Sequence, residues 1–210
     1  MIFLDLPPKP ALWTPPKPAI IRSARDIAPH LAMPVMTTFA AASVRGHRPP
    51  KKALVETAID RTTGTNIGNT TLFGGLAAIF DGNKSQSNGQ GGAFSGNPGY
   101  CGKSYVATKK IARVKVYGTT DSGFAPGGGT PSVTLTLYVK VSGAESSGTD
   151  GTASGSATFT NTTNESSGGF GGRTIVCTNP TLDVLRYWVR CDLGGGVSVE
   201  MTEIEAWEWL

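Results

Sequence analysis

The sequence predicts an all-β fold, a sandwich or a barrel. After residue 60 the chain becomes a series of short apolar runs separated by Gly, Ser, Thr and Asn, and 27 of the 28 glycines lie there. Several runs alternate apolar and polar residues with the period of a strand, and almost none has the period of a helix. The longest alternating run, residues 132–141, is rich in β-branched residues, which indicates a strand near the centre of a sheet.

Residues 1–52 are predicted to form an extended arm and basic linker, followed by a folded domain at residues 53–210. Ten of the 14 prolines lie in residues 1–50, and PPKPALWT is followed directly by PPKPAIIR. Proline fixes φ and lacks an N–H, so this segment favours a polyproline-like conformation. It also carries large apolar residues that need a surface to cover them, namely Phe3, Leu4, Leu6, Leu12, Trp13, Ile20 and Ile21. Two alternatives stay open: the arm wraps its own domain, or it docks into a groove of another protein subunit.

Charge follows the same division of the chain. Residues 1–52 hold eight Lys and Arg against two Asp and Glu, whereas the remainder holds eleven against thirteen. The domain therefore lacks the clustered basic face of a nucleic-acid binder, and we expect no nucleic-acid partner. No apolar run approaches the ~20 residues that cross a bilayer, and the N-terminus lacks the basic and apolar regions of a signal peptide. We expect neither a membrane segment nor Sec export.

Seven strands are predicted within the domain, from apolar runs that alternate or are bounded by turn residues. They cover residues 73–80, 110–117, 132–141, 155–161, 173–178, 185–193 and 197–209, with a further strand or turn at 53–60. In the second of these, Ala112, Val114 and Val116 point to one face and Arg113 and Lys115 to the other. Residues 81–99, 119–131 and 142–152 are predicted to be loops, since they are long and poor in apolar residues.

The last predicted strand changes phase along its length. Val199 and Met201 share one face, and the apolar positions then switch to Ile204, which predicts a β-bulge near Thr202. Trp207 and Trp209 fall on the face opposite Ile204. Two exposed tryptophans are unusual, so we expect them to pack on the arm, on a neighbouring subunit or on a sugar.

The residues with reactive side chains do not form a catalytic pattern. Cys101, Cys177 and Cys191 are odd in number and have no C-x-x-C spacing, so they are either free buried thiols or form a disulfide, including one to another chain. His30 and His47 both lie in the arm, and no G-x-S-x-G or H-E-x-x-H motif is present. We therefore expect no enzymatic activity.

Several short motifs occur in the order seen in galactose-binding-like jelly rolls. They are AAIFDGN at residues 77–83, GYCGK at 99–103, KIARVKVYG at 110–118, RYWVRC at 186–191 and TEIEAW at 202–207. By these motifs, residues 57–210 resemble the discoidin, or coagulation-factor C-type, domains and related carbohydrate-binding modules. The resemblance implies a jelly-roll β-sandwich and a structural calcium ion held by Asp81 and Glu203, whose oxygens suit that ion.

The same resemblance implies a sugar site built from loop aromatic residues, here Phe94, Tyr100 and Phe124. The chain departs from the family in two places. The tryptophan that commonly follows the Asp-Gly turn is absent, and no terminal pair of cysteines brackets the domain.

The whole chain, with its proline-rich arm before a small jelly roll, resembles structural proteins of tailed bacteriophages. This resemblance implies a virion component that is anchored by the arm to capsid, neck or tail subunits. We also expect a homo-oligomer, although no heptad repeat specifies one. The alternative function is a carbohydrate-binding module that aids attachment to host surface glycans.

Overall fold

The computed structural model describes residues 53–69, 71–162, 172–195 and 198–210. The compact unit that contains them spans Pro50–Leu210. Within the described ranges the chain forms twelve strands and one short 3-10 helix. The strands are β1 Glu56–Ala58, β2 Thr65–Gly68, β3 Thr71–Phe73, β4 Gly92–Phe94, β5 Gly99–Lys109, β6 Ile111–Tyr117, β7 Ser132–Lys140, β8 Thr152–Thr160, β9 Arg173–Val176, β10 Val184–Leu193, β11 Val199–Met201 and β12 Glu203–Trp209; the helix is Leu76–Phe80.

The strands form three antiparallel sheets. A five-stranded sheet has the order β2-β5-β10-β7-β8, and a four-stranded sheet has the order β1-β12-β6-β9. A smaller sheet has the order β11-β4-β3. One buried apolar cluster combines residues of the two larger sheets, including Leu135 and Val189 from one and Val114 and Ile204 from the other. The domain is therefore a β-sandwich, one of the two all-β architectures that the alternating apolar pattern predicted.

Strand β7 confirms the predicted alternation. Val133, Leu135, Leu137 and Val139 are buried, whereas the intervening residues are partly exposed. The strand lies between β10 and β8, so β10 occupies the centre of the sheet and β7 is its neighbour. Val141 lies beyond the strand and is 49% exposed, so the buried row is one residue shorter than predicted.

The predicted strand at residues 73–80 is wrong. The chain ends β3 at Phe73 and forms the 3-10 helix from Leu76, because Gly74 and Gly75 both have positive φ, 70° and 66°. Glycine adopts that left-handed conformation without steric cost, and it turns the chain out of the sheet. Ile79 and Phe80 are still buried, which explains why the run looks like a strand in the sequence.

The eleven-residue strand β5 is absent from the prediction. Its glycines and polar residues hide its alternation, yet it pairs with β10 and with β2. Lys103 is the clearest case, since it is only 4% exposed. Its Nζ donates to the Arg61 carbonyl oxygen at 2.7 Å and lies 4.3 Å from the centroid of the Phe80 ring. Only tertiary contacts can bury a lysine in this way.

The change of phase near Thr202 is a change of sheet and not a bulge within one strand. Residues Val199–Met201 pair with β4, whereas Glu203–Trp209 pairs with β6 and β1. Thr202 between them is buried, and its hydroxyl donates to the Gly118 carbonyl oxygen at 3.0 Å. The two halves thus alternate independently because they belong to different sheets.

Trp207 and Trp209 lie on the outer face of the four-stranded sheet and are half-buried. Trp207 is covered by the guanidinium group of Arg113, 3.6 Å from the ring centroid. Strand β6 of the same domain thus provides part of the packing that we expected for these tryptophans. No helix among the described residues is long and apolar enough to span a bilayer.

Candidate functional site

A cleft with a volume of about 600 Å³ lies at the five-stranded sheet. Its walls come from the turn after β2, the start of β5, the β7–β8 connection and one side chain of β10. The lining residues are Gly68, Asn69, Pro98, Tyr100, Ser146, Ser147, Gly148, Thr149 and Arg190. The surface is polar and rich in hydroxyl groups, with one aromatic ring and one cation.

The register of β5 against β10 brings Tyr100 and Arg190 together. These two residues are direct partners in the antiparallel ladder, so their side chains share one face of the sheet. Asn69 fixes the backbone of Tyr100, because its Oδ1 accepts the Tyr100 N–H at 2.7 Å. The Asn69 Nδ2 donates to the Pro98 carbonyl oxygen at 3.2 Å, which closes this wall of the cleft.

The β7–β8 connection is held over the sheet by Asp150. Its Oδ2 accepts hydrogen bonds from Lys140 Nζ at 2.9 Å and from the N–H and hydroxyl of Ser146 at 2.6 and 2.8 Å. The hydrogen bond from Lys140, followed by those from Ser146, lowers the pKa of Asp150 to about 2. The indole N–H of Trp188 donates to the Gly148 carbonyl oxygen at 2.9 Å. The hydrogen bonds of Asp150 and Trp188 therefore hold this wall of the cleft in place.

Arg190 is the one charged residue of the lining. Its Nη2 donates to Asp192 Oδ2 at 3.0 Å, and its Nε is buried without a hydrogen-bond partner among the described residues. The guanidinium group also lines the cleft, where it can donate hydrogen bonds to an oxygen-rich ligand. Burial, followed by the charges of Glu145 and Asp150, raises the pKa of Tyr100, so its hydroxyl stays protonated.

Of the three predicted sugar-site residues, only Tyr100 lines this cleft. Phe94 and Phe124 are both 0% exposed, so their prediction as sugar platforms is wrong. Phe94 lies in β4 against Gly99, and Phe124 packs edge-on against Phe159 at 5.8 Å. Both rings pack in the hydrophobic core, so a sugar could contact them only if the two sheets separated.

The sequence prediction did not include three parts of this cleft, namely Asn69, Arg190 and the connection at residues 146–149. One signal for Arg190 was present: the alternation of residues 185–193 places it with Trp188 on the face opposite Val189. The neighbours of that face come from β5 and from the β7–β8 connection. The sequence alone does not show that β5 and the β7–β8 connection lie next to this face of β10.

Asp81 and Glu203, the predicted calcium ligands, lie near each other. Burial, and the nearby Asp81 carboxylate, raise the pKa of Glu203 to about 7, while the Gly82 N–H, 2.7 Å from Glu203 Oε2, opposes the shift. Asp81 Oδ2 accepts from Gln86 Nε2 at 3.1 Å, and Gln86 Oε1 is buried without a partner among the described residues. No group of three or more Asp, Glu, His or Cys side chains in the described ranges is arranged to hold a metal ion. The two carboxyl groups and the amide oxygen without a partner are nevertheless all oxygen ligands. Oxygen ligands are the type that a hard cation such as calcium prefers.

The three cysteines are free thiols in the structure, and all are buried. Cys101 Sγ lies 3.8 Å from Met201 Sδ in the core. Burial raises the pKa of Cys101, Cys177 and Cys191, which keeps them as protonated thiols. The geometry favours the first of the two alternatives, thiols that act as small apolar side chains.

Comparison with known proteins adds evidence on the fold. No protein-family model matches the chain, and no curated protein matches it. Among solved structures, the family 32 CBM from C. perfringens NanJ in complex with galactose matches with a TM-score of 0.50 and 13% identity, over 73% of this chain and 100% of that one. The fucolectin from striped bass (Morone saxatilis) serum matches with a TM-score of 0.52 and 12% identity, over 75% of this chain and 49% of its own.

A truncated AlyQ with CBM32 and alginate lyase domains also matches, with a TM-score of 0.49 and 11% identity, over 75% of this chain and 34% of that one. The chain thus spans about a third of the AlyQ chain and about half of the fucolectin chain. Nothing in these comparisons links the chain to a virion. The folded part of the chain has the galactose-binding-like jelly-roll β-sandwich fold, and its structural neighbours are carbohydrate-binding modules and lectins.

Proposed function

We propose that this protein is a carbohydrate-binding module and that the cleft between Tyr100 and Arg190 is its sugar site. The carrying observation is the pairing of an aromatic ring with a guanidinium group on one face of the sheet, where both line the cleft. Hydroxyl groups of Ser147 and Thr149 line the same cleft. Sugars present an apolar ring face and several hydroxyls, which matches one aromatic residue among polar donors and acceptors.

We propose binding without catalysis at this cleft. Its lining contains no Asp, Glu, His or Cys side chain. General acid and base catalysis of glycoside cleavage needs a pair of carboxyl groups that flank the scissile bond. A polar lining of this kind, which suits a polyol, therefore supports binding of a sugar without its cleavage.

Substitution of Tyr100 and Arg190 tests this function. The intact chain is titrated with galactose and fucose by isothermal calorimetry, and Tyr100→Ala and Arg190→Ala are each expected to weaken binding at least about tenfold, or ~1.4 kcal/mol. Tyr100→Phe separates the ring from the hydroxyl. The control is Thr174→Ala on the four-stranded sheet, which is exposed and remote from the cleft lining. Binding by all variants with unchanged affinity would exclude the cleft.

A calcium ion at Asp81, Glu203 and Gln86 remains our second proposal for this domain. Bound there, calcium would neutralise the two carboxylates and accept the free Gln86 Oε1 as a ligand, so its chemistry would be structural. A ligand present at 100 times its Kd stabilises a fold by about 2.7 kcal/mol, roughly 5–10 °C for a domain of this size. We expect calcium to raise the melting temperature relative to EDTA and Asp81→Asn to abolish the rise.

The exposed Asp183 on the surface provides the matched control, as Asp183→Asn. An equal calcium response in Asp81→Asn and in the parent chain would place the ion elsewhere. No response in either would exclude a structural calcium ion.

The virion role remains a prediction from the arm alone. Its proposed docking residues, from Phe3 to Ile21, lie outside the described residues, and so do the expected capsid, neck or tail contacts. The predicted homo-oligomer is also untested. Glycan binding by the domain is compatible with a virion protein, because attachment to a host surface would use the same cleft.

A further inference from the structure

A second cavity, separate from the Tyr100–Arg190 cleft, lies at the outer face of the four-stranded sheet. Its volume is about 200 Å³, below the ~300–1,000 Å³ of drug-sized pockets, so it is sized for a small ligand or one ring of a larger one. It is lined by Ala58, Ile59, Asp60, Arg61, Glu203, Glu205, Ala206 and Trp207. None of these residues lines the first cleft.

One wall of this cavity is apolar and is fixed by Trp207. In the sheet, Trp207 of β12 is the partner of Ala58 on β1 and of Arg113 on β6. The Arg113 guanidinium lies 3.6 Å from the ring centroid and is itself paired with Glu56. A cation stacked in this way holds the indole in one orientation. Ala58 extends the apolar wall, and Ile59 and Ala206 line the cavity from the side of the core.

The rest of the lining is polar, and its groups are held in place with hydrogen-bonding capacity to spare. Asp60 Oδ1 accepts from the N–H and the hydroxyl of Thr62, each at 2.8 Å, whereas Oδ2 has no partner among the described residues. The Arg61 guanidinium packs against Gly82 and forms no ion pair in the described part of the chain. Glu205 is oriented by Lys84 at 2.6 Å and by the Tyr117 hydroxyl at 2.8 Å.

A lining that combines an indole with carboxyl groups and one guanidinium matches the apolar face and the hydroxyls of a pyranose ring. The C–H face of the ring packs on tryptophan, and its hydroxyls donate to carboxylates and accept from arginine. The lining holds three carboxyl groups against the guanidinium of Arg61 and the Lys84 ammonium that pairs with Glu205, and this excess of acidic groups disfavours an anionic ligand. We infer that the Trp207 cavity is a second carbohydrate site, which takes a single neutral or amino-sugar ring and rejects acidic sugars.

The two sites are therefore expected to differ in charge selectivity. The cleft has a single charged residue, Arg190, and tolerates a carboxylate on the sugar, whereas the Trp207 cavity does not. Two sites on different sheets would let one domain engage two sugar units of a surface glycan, which raises the avidity without any new contact.

Heteronuclear NMR of the intact chain with galactose, glucosamine, N-acetylglucosamine and glucuronic acid tests the inference. We expect a neutral or amino sugar to shift the Trp207 indole and Arg61 amide signals, and we expect glucuronic acid to leave them unchanged. Trp207→Ala is expected to abolish these Arg61 shifts. Asp60→Asn, which keeps the Oδ1 acceptor for Thr62, is expected to weaken binding about tenfold.

Trp209→Ala is the matched control, since Trp209 shares the strand and face of Trp207 but does not line the cavity. Asp60→Asn keeps the test valid should Trp207→Ala fail to fold. Tyr100→Ala removes cleft binding only, so failure of the cleft and failure of the cavity are distinguished. Absence of Trp207 and Arg61 shifts with every neutral and amino sugar, or equal shifts with glucuronic acid, would overturn the inference.

Discussion

Replacing Gly102 with alanine is expected to lower the unfolding free energy by about 3 kcal/mol or more, because the strands at this point leave no room for a Cβ. Gly102 of β5 is the ladder partner of Trp188 in β10. An added Cβ would overlap the Tyr187 carbonyl oxygen and the Trp188 Cα, which are backbone atoms and cannot rotate away. The two central strands would have to separate.

Urea denaturation with Gly96→Ala as the control measures this effect. Gly96 lies just before β5, and an added Cβ there meets no heavy atom within 4 Å, so its substitution should be nearly neutral. Equal stability losses for the two variants would contradict the argument. Sugar binding should also fall in Gly102→Ala, since the same ladder places Tyr100 opposite Arg190.

Removal of the Glu200 side chain is expected to cost about 2–4 kcal/mol. Glu200 is 0% exposed, and its Oε1 accepts the N–H groups of Gly89 and Gly91, each at 3.0 Å. Glu200→Ala leaves the buried Gly91 N–H without an acceptor and opens a cavity beside β4. The free energy of unfolding from urea titration is the measurement.

Glu200→Gln is the matched variant, because its amide oxygen in the Oε1 position can still accept both of these hydrogen bonds, and a smaller loss is expected. Burial raises the pKa of Glu200 above its usual 4.5, although the Gly91 and Gly89 N–H groups oppose the shift. The group therefore favours the folded state when protonated, and this contribution declines as the pH rises above 4.5. The advantage of the parent over Glu200→Gln should shrink as the pH is raised above 4.5; a growing advantage would contradict the assignment.

The sequence was sufficient to predict an all-β fold, because alternation is a local property of a strand. Successive side chains of an extended backbone point to opposite faces, so the buried row of β7 is visible without any knowledge of its neighbours. The run at residues 73–80 shows the limit of this signal. Its apolar residues are buried as expected, but two glycines with positive φ turn it into a 3-10 helix.

The sugar-site candidates show the same limit. Phe94, Tyr100 and Phe124 look alike in the sequence, as aromatic residues in glycine-rich stretches. The structure buries two of them and leaves Tyr100 at the cleft. Composition cannot separate a core ring from a binding ring, since both need the same residue type.

By itself, the sequence determined the all-β class and the faces of the regular strands, and it predicts an extended arm at residues 1–52. Tertiary structure alone decided that β11 and β12 join different sheets, that Lys103 is buried, and which side chains line each cavity. The physical reason is the range of the interactions. Strand periodicity depends on neighbouring residues, whereas the register that sets Tyr100 against Arg190 depends on pairing between segments far apart in the chain.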